Sequence, residues 1–369
     1  MKLLSSATAL PAVAAASAWS GSLYVDEAPQ SLRPYVLPKL AGQAVSVGSQ
    51  VYRFAVTGNS SDGAFTLMNT ASPDSTSLGV LPHIHKAHYE NFYCSKGSFQ
   101  VWAKKNGTEQ GRVMTQGDYA AVPHNTIHTF QVTDPDSVIT GVIQPGGFEE
   151  LFVFLGESYS SSTGSPFVPS SSNNSAGAGS SSSLISALES FDVYSELEYS
   201  PRRDLVNGTA PATDTWHNGP NALGVDGYTP NFIAKNRGPK YLNTENAYKI
   251  VTPLVTGKQS GDNFTMGTIT MSPLLNNMTA PIGNLSQHIA FQMEEGALDV
   301  TIGMESAKLI QGDVVFIPAG TPFKYSTVVP FTKFLYVSAG ADGLDHELLS
   351  KSIPWGYTSY PTYAGFKAS

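Results

Sequence analysis

Short runs in which hydrophobic and polar residues alternate recur along both halves of the chain. Examples are VYRFAV from Val51, SFQVWA from Ser98, TFQV from Thr129, FTMGTITM from Phe264 and FLYVSA from Phe334. Alternation with a period of two places successive side chains on opposite faces of a strand, and turn residues separate these runs. The pattern predicts an all-β protein made of antiparallel barrels or sandwiches.

A change in composition marks the middle of the chain. Residues 160–183 read SSSTGSPFVPSSSNNSAGAGSSSS, which can bury almost nothing and is typical of a flexible linker. The segment that follows, LISALESFDVYSELE from Leu184, carries helical periodicity through Leu184, Leu188, Phe191 and Leu197. We therefore predict a linker with one or a few short helices over residues 159–200.

The two halves repeat one another. The first contains GSFQVWA from Gly97 and QGDYAAVP from Gln116, and the second contains GALDVTI from Gly296 and QGDVVFIP from Gln311. Two matching motifs in the same order predict a duplicated β-barrel. We place the first barrel at residues 19–158 and the second at residues 201–369.

Charge and cysteine content exclude several classes of protein. The formal net charge is −8 and no basic cluster occurs, which argues against nucleic-acid binding. No apolar run reaches the roughly 20 residues that a membrane-spanning helix needs. The single cysteine, Cys94, excludes an intramolecular disulfide framework and a cysteine-based metal site, and we expect it to be buried.

The first residues, MKLLSSATALPAVAAASAWS, place a lysine before an alanine-rich apolar stretch and small residues before Trp19. This pattern predicts a secretory signal peptide over residues 1–18, and a disordered or helical arm is the alternative. Seven Asn-X-Ser/Thr sequons agree with a secreted, extracellular glycoprotein. They begin at Asn59, Asn106, Asn173, Asn207, Asn263, Asn277 and Asn284.

Candidate metal ligands lie in the first half, within GVLPHIHKAHYENFYCSKG from Gly79 and GDYAAVPHNTIH from Gly117. His83 and His85, two residues apart on a strand, face the same side. Glu90 would reach the same point from a bend or the next strand, and His128 from across the barrel. Three imidazoles and one carboxylate suit a divalent transition metal with open coordination positions.

These motifs resemble those of the cupin superfamily, and the chain as a whole resembles the secreted bicupin copper quercetinases (quercetin 2,3-dioxygenases). The resemblance implies two jelly-roll β-barrels in tandem. It also implies Cu²⁺ as cofactor, held by His83, His85, Glu90 and His128, with Glu90 as the catalytic base as well. Another divalent transition metal is the alternative.

The resemblance further implies a pocket for a flavonol such as quercetin, which O₂ opens to a depside and carbon monoxide. Tyr52 and Thr70 would be polar groups near the metal, while Met68, Phe92 and Phe130 would line an apolar slot. Glu90 would remove the 3-hydroxyl proton of the flavonol. We expect the apolar surroundings to raise the pKa of Glu90.

The second half lacks these ligands. Counted back from Gly296, the positions of His83, His85 and Glu90 fall on Ile282, Asn284 and Ile289, and that of His128 falls on Phe323. We therefore predict that the second barrel has lost the metal site and stabilises the first by packing. We expect the linker to help cover the mouth of the pocket.

Several alternatives stay open at this point. A manganese-dependent bicupin oxalate decarboxylase or oxidase would need polar or cationic groups around a small dianion. A non-catalytic storage or binding bicupin would tolerate degenerate ligands in both halves. A different phenolic or enediol substrate, or a homodimeric assembly, is compatible with the same sequence.

Overall fold

The structure of the protein, a computed structural model, describes residues 21–160, 165–167 and 182–362. The predicted signal peptide (residues 1–18), most of the serine-rich run and the sequon at Asn173 lie outside the described residues. Within the described part of the chain, no helix is both long and apolar enough to cross a membrane.

Short strands dominate the chain up to residue 160, with two short helices. The strands are β1 (Tyr35–Leu37), β2 (Ala44–Val47), β3 (Gln50–Val56), β4 (Thr66–Ser72), β5 (His83–Ile84), β6 (Tyr89–Lys96), β7 (Ser98–Lys105), β8 (Thr108–Thr115), β9 (Tyr119–Val122), β10 (Ile127–Val132), β11 (Ser137–Gln144) and β12 (Glu157–Ser158). The helices are α1 (Gly58–Ser61) and α2 (Glu149–Leu155).

The remainder of the chain has the same character. Its strands are β13 (Tyr194–Ser195), β14 (Thr209–Ala210), β15 (Asn231–Ile233), β16 (Tyr241–Asn243), β17 (Ala247–Val255), β18 (Phe264–Leu274), β19 (Ile289–Glu295), β20 (Ala297–Ile302), β21 (Glu305–Ile310), β22 (Val314–Ile317), β23 (Phe323–Ser326), β24 (Thr332–Ala339) and β25 (Ser352–Pro354). Its helices are α3 (Ser182–Glu189), α4 (Gly257–Ser260) and α5 (Leu344–Leu349).

The first barrel consists of two antiparallel sheets. One has the strand order β12-β2-β3-β4-β11-β6-β9-β15 and the other β13-β5-β10-β7-β8-β14. One part of its apolar interior contains Phe92, Phe99, Phe130 and Trp216, all buried. Strands β5, β6 and β10 carry the four predicted metal ligands or lead directly into them, so this barrel positions the site.

The second barrel combines an eight-stranded sheet (β1-β22-β19-β24-β18-β17-β16-β25) with a three-stranded one (β21-β20-β23). Aromatic side chains fill its interior: the ring centroid of Phe291 lies 4.8 Å from that of Phe334, 5.8 Å from that of Tyr325 and 6.3 Å from that of Phe323. Two β-barrels in tandem, with few short helices, confirm the predicted fold class.

The two barrels exchange strands. Strand β1 lies in the range predicted for the first barrel but pairs with β22 of the second, while β15 lies in the range predicted for the second barrel but pairs with β9 of the first. Strands β13 and β14 also join the first barrel, on β5 and β8. The division of the chain at residues 158 and 201 stays a prediction. Strands that precede residue 158 pair with strands that follow it.

Helix α3 is shorter than the periodicity from Leu184 predicts. It ends at Glu189, and Asp192 has a left-handed backbone with φ of 63°. The next residues form β13, where Tyr194 and Ser195 pair with Ile84 and His83. Backbone hydrogen bonds to β5 thus replace those that would have continued the helix, because local propensity is weaker than tertiary pairing.

Candidate metal centre and adjoining cavity

Four predicted ligands converge inside the first barrel. His83 on β5 lies directly opposite His128 on β10, His85 follows one residue after β5, and Glu90 lies on β6. One ligating atom from each of the four lies within 4.8 Å of the others. His128 is fully buried and the other three are at most 9% exposed, so the group is shielded from bulk water.

Backbone carbonyls orient the three imidazoles. Each Nδ1 lies within hydrogen-bond distance of one carbonyl oxygen, and since a carbonyl only accepts, each Nδ1 carries the donated proton. The pairs are His83 with Leu81 at 2.7 Å, His128 with Thr126 at 2.9 Å and His85 with Asp192 at 2.8 Å. This arrangement leaves Nε2 of each ring as the atom that can bind a metal.

The carboxylate of Glu90 lies between two of these rings. Its Oε2 is 2.9 Å from Nε2 of His128 and 3.3 Å from Nε2 of His85. Burial by itself raises the pKa of Glu90, but the hydrogen bonds and charge of His128 and His85 outweigh burial and lower the pKa well below its usual value. The expectation of a raised pKa for Glu90 is therefore wrong.

The donor set fits a divalent transition metal. Burial, followed by the neighbouring His128 and His85, lowers the pKa of His83 well below its usual value, so that imidazole is neutral at pH 7. Imidazole nitrogens with one ionised carboxylate are ligands that copper, zinc, iron and nickel accept. The structure thus brings all four sequence-predicted ligands together in a geometry that can hold such an ion.

A cavity of about 110 Å³ adjoins the ligands. All five predicted pocket residues line it, together with His83 and Glu90 from the ligand group. The full lining is Val47, Tyr52, Met68, Thr70, Gly79, Val80, Leu81, His83, Glu90, Phe92, Phe130, Ile139, Phe148, Leu151, Phe152, Leu155, Leu188, Val193 and Ser195. Apart from the ligands, the wall is almost entirely apolar.

Aromatic contacts define the shape of this cavity. The Tyr52 ring stacks on Phe152 at a centroid distance of 4.0 Å, and its hydroxyl donates to Oε1 of Gln50 at 3.1 Å. Phe92 lies with its ring 6.1 Å from that of His128 and 6.0 Å from that of Phe130. The cavity therefore offers flat apolar surfaces beside the imidazoles.

Sequence reasoning missed the wall that α2, α3 and the residues just after α3 supply. Phe148, Leu151, Phe152 and Leu155 line the cavity at the spacing of one face of a helix, a pattern that could have identified α2. Leu188 and Val193 come from the far side of the serine-rich run, and only the tertiary structure brings them there. The expectation that this region helps cover the pocket agrees with their placement.

The corresponding positions in the second barrel need a correction of one residue. His128 pairs with His83 in the first barrel, and Phe323 pairs with Gly283 in the second, so Gly283, and not Ile282, takes the place of His83. Likewise the carbonyl of Leu285 accepts from Gly320 as that of His85 accepts from Asn125, so Leu285 replaces Asn284. The loop before β19 is one residue shorter, which shifts the ungapped alignment.

The remaining two correspondences agree with the strand register. Ile289 lies opposite Ile317 as Glu90 lies opposite Val122, and Phe323 takes the place of His128. None of the four residues now aligned offers a metal-ligating atom in its side chain.

Cys94 is buried, with its thiol near the carbonyls of Lys96 and Gly97, which confirms the expectation of a buried cysteine.

The chain resembles known proteins in both sequence and structure. The sequence is 51% identical over 346 residues to quercetin 2,3-dioxygenase of Aspergillus japonicus, covering 93% of this chain and 99% of that protein. It is 30% identical over 133 residues to quercetin 2,3-dioxygenase of Bacillus subtilis, covering 36% of this chain and 38% of that protein. No protein-family profile matches the sequence.

Solved structures of Bacillus subtilis oxalate decarboxylase resemble the fold. One, of a variant, superposes with a TM-score of 0.51 at 13% identity and covers 86% of this chain and 80% of that one. Another has a TM-score of 0.50 at 13% identity and covers 86% and 78% of the two chains. At this identity the likeness concerns the fold alone, a tandem of cupin barrels.

Proposed function

The chain belongs to the quercetin 2,3-dioxygenase family of the cupin superfamily, and on that basis we propose that it opens the heterocycle of flavonols such as quercetin with O₂, giving a depside and carbon monoxide. The observation that carries the proposal is the convergence of three imidazoles and one carboxylate beside an apolar cavity. The ligand group and the apolar cavity have separate roles in the proposed reaction.

His83, His85, Glu90 and His128 would hold the metal. When bound there, a divalent ion such as Cu²⁺ supplies Lewis-acid stabilisation of an anionic oxygen on the substrate. Copper is the proposed ion because nitrogen-rich sites bind it most tightly among the first-row divalent metals, and another such metal is the alternative. The barrel contributes the orientation: each imidazole is fixed by a carbonyl at its Nδ1.

Glu90 would accept the proton of the flavonol 3-hydroxyl. Its carboxylate is ionised at neutral pH and lies at the edge of the cavity, so an acceptor oxygen is present where the substrate hydroxyl would enter. His128 and His85, which contact Oε2, hold the carboxylate in this place. The proton therefore moves to a carboxylate oxygen of Glu90 in the proposed first step.

The aromatic walls would bind the flavonol rings. Phe92 and Phe130 offer apolar surfaces beside His128, and the pair of Tyr52 and Phe152 closes another side. The cavity of about 110 Å³ is smaller than the 300–1,000 Å³ of common ligand pockets. Side chains of α2 and α3, such as Phe152 and Leu188, must therefore move to admit a three-ring substrate.

The composition of the wall favours a flavonol over oxalate. Oxalate is a small dianion, and its recognition calls for a cationic side chain beside the metal. Lysine and arginine are absent from the described residues that line this cavity. The structural likeness to oxalate decarboxylase concerns the fold and does not alter this argument.

One assay tests the proposal. Purified protein loaded with Cu²⁺ is incubated with quercetin in air, and the loss of flavonol absorbance is followed together with carbon monoxide release. We expect both, with about one metal ion per chain, and loss of both after chelation with recovery on adding Cu²⁺ back. Consumption of oxalate with carbon dioxide release, and no reaction with quercetin, would contradict the proposal.

We also infer that the protein is exported and carries N-glycans. The six sequon asparagines within the described residues are all exposed: Asn59, Asn106, Asn207, Asn263, Asn277 and Asn284. Exposure is what glycosylation requires of an acceptor asparagine. Removal of N-glycans by an endoglycosidase should lower the mass of protein recovered from culture medium.

A further inference from the structure

A second group of candidate ligands adjoins the metal centre. It consists of His85, His88 and Asp192, whose ligating atoms also lie within 4.8 Å of one another. Asp192 lies beyond the serine-rich run, three residues after α3 ends, and is separated from His85 by 107 positions in the sequence. The contacts of Asp192 show what this group does.

The carboxylate of Asp192 binds the loop that follows His85. Its Oδ1 accepts the backbone N–H of Lys86 at 3.0 Å, and its Oδ2 accepts those of Ala87 at 2.8 Å and His88 at 2.9 Å. Nδ1 of His88 also lies 2.9 Å from Oδ2. Four contacts on one carboxylate fix the course of the three residues that leave the ligand strand.

The backbone of the same residue orients the imidazole of His85. The Asp192 carbonyl lies 2.8 Å from Nδ1 of His85, which turns Nε2 towards Glu90. The corresponding carbonyls for His83 and His128 come from Leu81 and Thr126, each two residues earlier in the chain. His85 is thus the ligand whose orientation depends on a distant segment.

That segment is itself fixed to the ligand strand. Val193 donates its backbone N–H to the carbonyl of Leu188 at 3.1 Å, and Glu196 donates to Pro82 at 2.8 Å. Between them, β13 pairs with β5, so that Ser195 lies opposite His83. These hydrogen bonds fix Asp192 relative to α3 and to β5. Its carbonyl therefore has a fixed position from which it orients His85.

We propose that Asp192 is a positioning residue for the metal centre, acting through the carbonyl that orients His85 and the carboxylate that fixes residues 86–88. The inference rests on the proposed role of His85 as a metal ligand. The orientation of one of the four ligands, His85, then depends on the segment that follows the serine-rich run.

A second metal ion at His85, His88 and Asp192 is the competing explanation. The hydrogen bonds argue against it, because three of the four contacts of the Asp192 carboxylate are backbone N–H groups that only donate. A cation would have to compete with these donors for the lone pairs of the same two oxygens. The two explanations differ in metal stoichiometry, which can be measured.

The test uses the full protein, stripped of metal and titrated with Cu²⁺ in competition with a chelator. Asp192→Gly removes the carboxylate and tolerates the φ of 63°, and Asp192→Asn keeps the shape but not the charge. Asp62→Gly is the matched control, because Asp62 is an exposed aspartate at a φ of 53° outside the site.

We expect Asp192→Gly to weaken Cu²⁺ binding by about 10- to 100-fold and to change the electron paramagnetic resonance spectrum of the bound copper, with a smaller effect for Asp192→Asn and none for Asp62→Gly. If Asp192→Gly does not fold, the asparagine variant gives the same comparison. Unchanged affinity and spectrum in the variants would overturn the proposal. So would two Cu²⁺ per wild-type chain falling to one in Asp192→Gly.

The outcome is separable from that of the proposed function. Both readouts concern metal binding, whereas the proposed function is measured by quercetin consumption. A wild-type protein that binds Cu²⁺ but leaves quercetin unchanged would overturn the proposed function and leave the comparison of the variants intact.

Discussion

The carboxylate of Asp118 accepts the backbone N–H of Lys235 at a distance of 2.7 Å, across the two halves of the chain. The same contact occurs in the other direction, where Asp313 accepts the N–H of Lys39 at 2.8 Å. Each lysine follows an exchanged strand by two residues, β15 in one case and β1 in the other. The repeated Gln-Gly-Asp motif therefore marks the place where each barrel receives a strand from the opposite half.

This relationship predicts that Asp118→Ala destabilises the protein. Asp118 is fully buried and also accepts the N–H of Thr115 at 2.7 Å, so the substitution leaves at least two partly buried backbone donors without their acceptor. A hydrogen bond to a charged group contributes about 1.5–3 kcal/mol, and water can reach these donors in part, so we expect a loss of about 2–4 kcal/mol in the free energy of unfolding. Urea unfolding measures this loss.

The matched control is Asp204→Ala, because Asp204 is exposed and pairs with Arg202 at the surface. We expect this variant to unfold at the same urea concentration as the wild type, since exposed ion pairs contribute little to stability. A loss for Asp118→Ala that is no larger than the loss for Asp204→Ala would show that the strand exchange does not depend on this carboxylate.

Glu90→Gln should abolish most turnover. The amide cannot accept the 3-hydroxyl proton, and loss of a general base typically lowers the rate by about 10²–10⁴-fold. The measurement is kcat with quercetin at a metal content that is determined for each preparation. Glu150→Gln, an exposed position on α2, is the control. Full activity of Glu90→Gln with normal copper content would rule out Glu90 as the base.

Leu188→Trp should weaken substrate binding. Leu188 of α3 lines the cavity, and a larger side chain there fills space that the flavonol rings need. We expect KM for quercetin to rise by at least about tenfold, which corresponds to about 1.4 kcal/mol, with metal content unchanged. Ser186→Trp places the same side chain at an exposed position of α3 and should leave KM unchanged. Equal KM values for both variants would show that substrate does not approach α3.

Glu294 should make stability decrease as pH rises. It is buried, and Ser95 of the first barrel donates to its Oε1 at 3.4 Å. Burial raises the pKa of Glu294 to about 7 from its ordinary 4.5, although Lys333, Gln292 and Ser95 lower it in part and Glu295 raises it further. Because the folded state keeps a proton that the unfolded chain releases, the stabilisation is complete below pH 4.5 and is lost as the pH rises towards 7.

Urea unfolding of metal-stripped protein across this pH interval tests the effect of Glu294. We expect Glu294→Gln to gain stability relative to the wild type as the pH rises, because the amide does not titrate. Glu347→Gln, at an exposed position of α5, is the control. A difference between Glu294→Gln and wild type that stays constant with pH would contradict the assignment.

The local patterns of the sequence located five of the longer strands and all four members of the ligand group. Alternation located β3, β7, β10, β18 and β24, because successive side chains of a strand point to opposite faces of the sheet. The spacing of His83 and His85 fixes two side chains on one side of β5 and its extension. These features depend on neighbours in sequence, so they can be predicted from it.

Other predictions failed where distant contacts outweighed local preference. The periodicity from Leu184 continued past Glu189, but pairing of β13 with β5 ended the helix. The apolar surroundings of Glu90 suggested a raised pKa, but contacts with His128 and His85 lower it. In the first case β5 is remote from the helix in sequence. In the second, the distances from Glu90 to His128 and His85 depend on how the strands pack.

The sequence by itself determined an all-β chain with an internal repeat, and a first half that carries three imidazoles and a carboxylate at strand spacing. Only the tertiary structure decided that β1 and β15 each pair with the barrel of the opposite half, that α2 and Leu188 line the cavity, and that Asp192 orients His85. The physical reason is that hydrophobic periodicity and ligand spacing are properties of local backbone geometry, whereas strand exchange and hydrogen bonds between distant segments arise only when the chain packs.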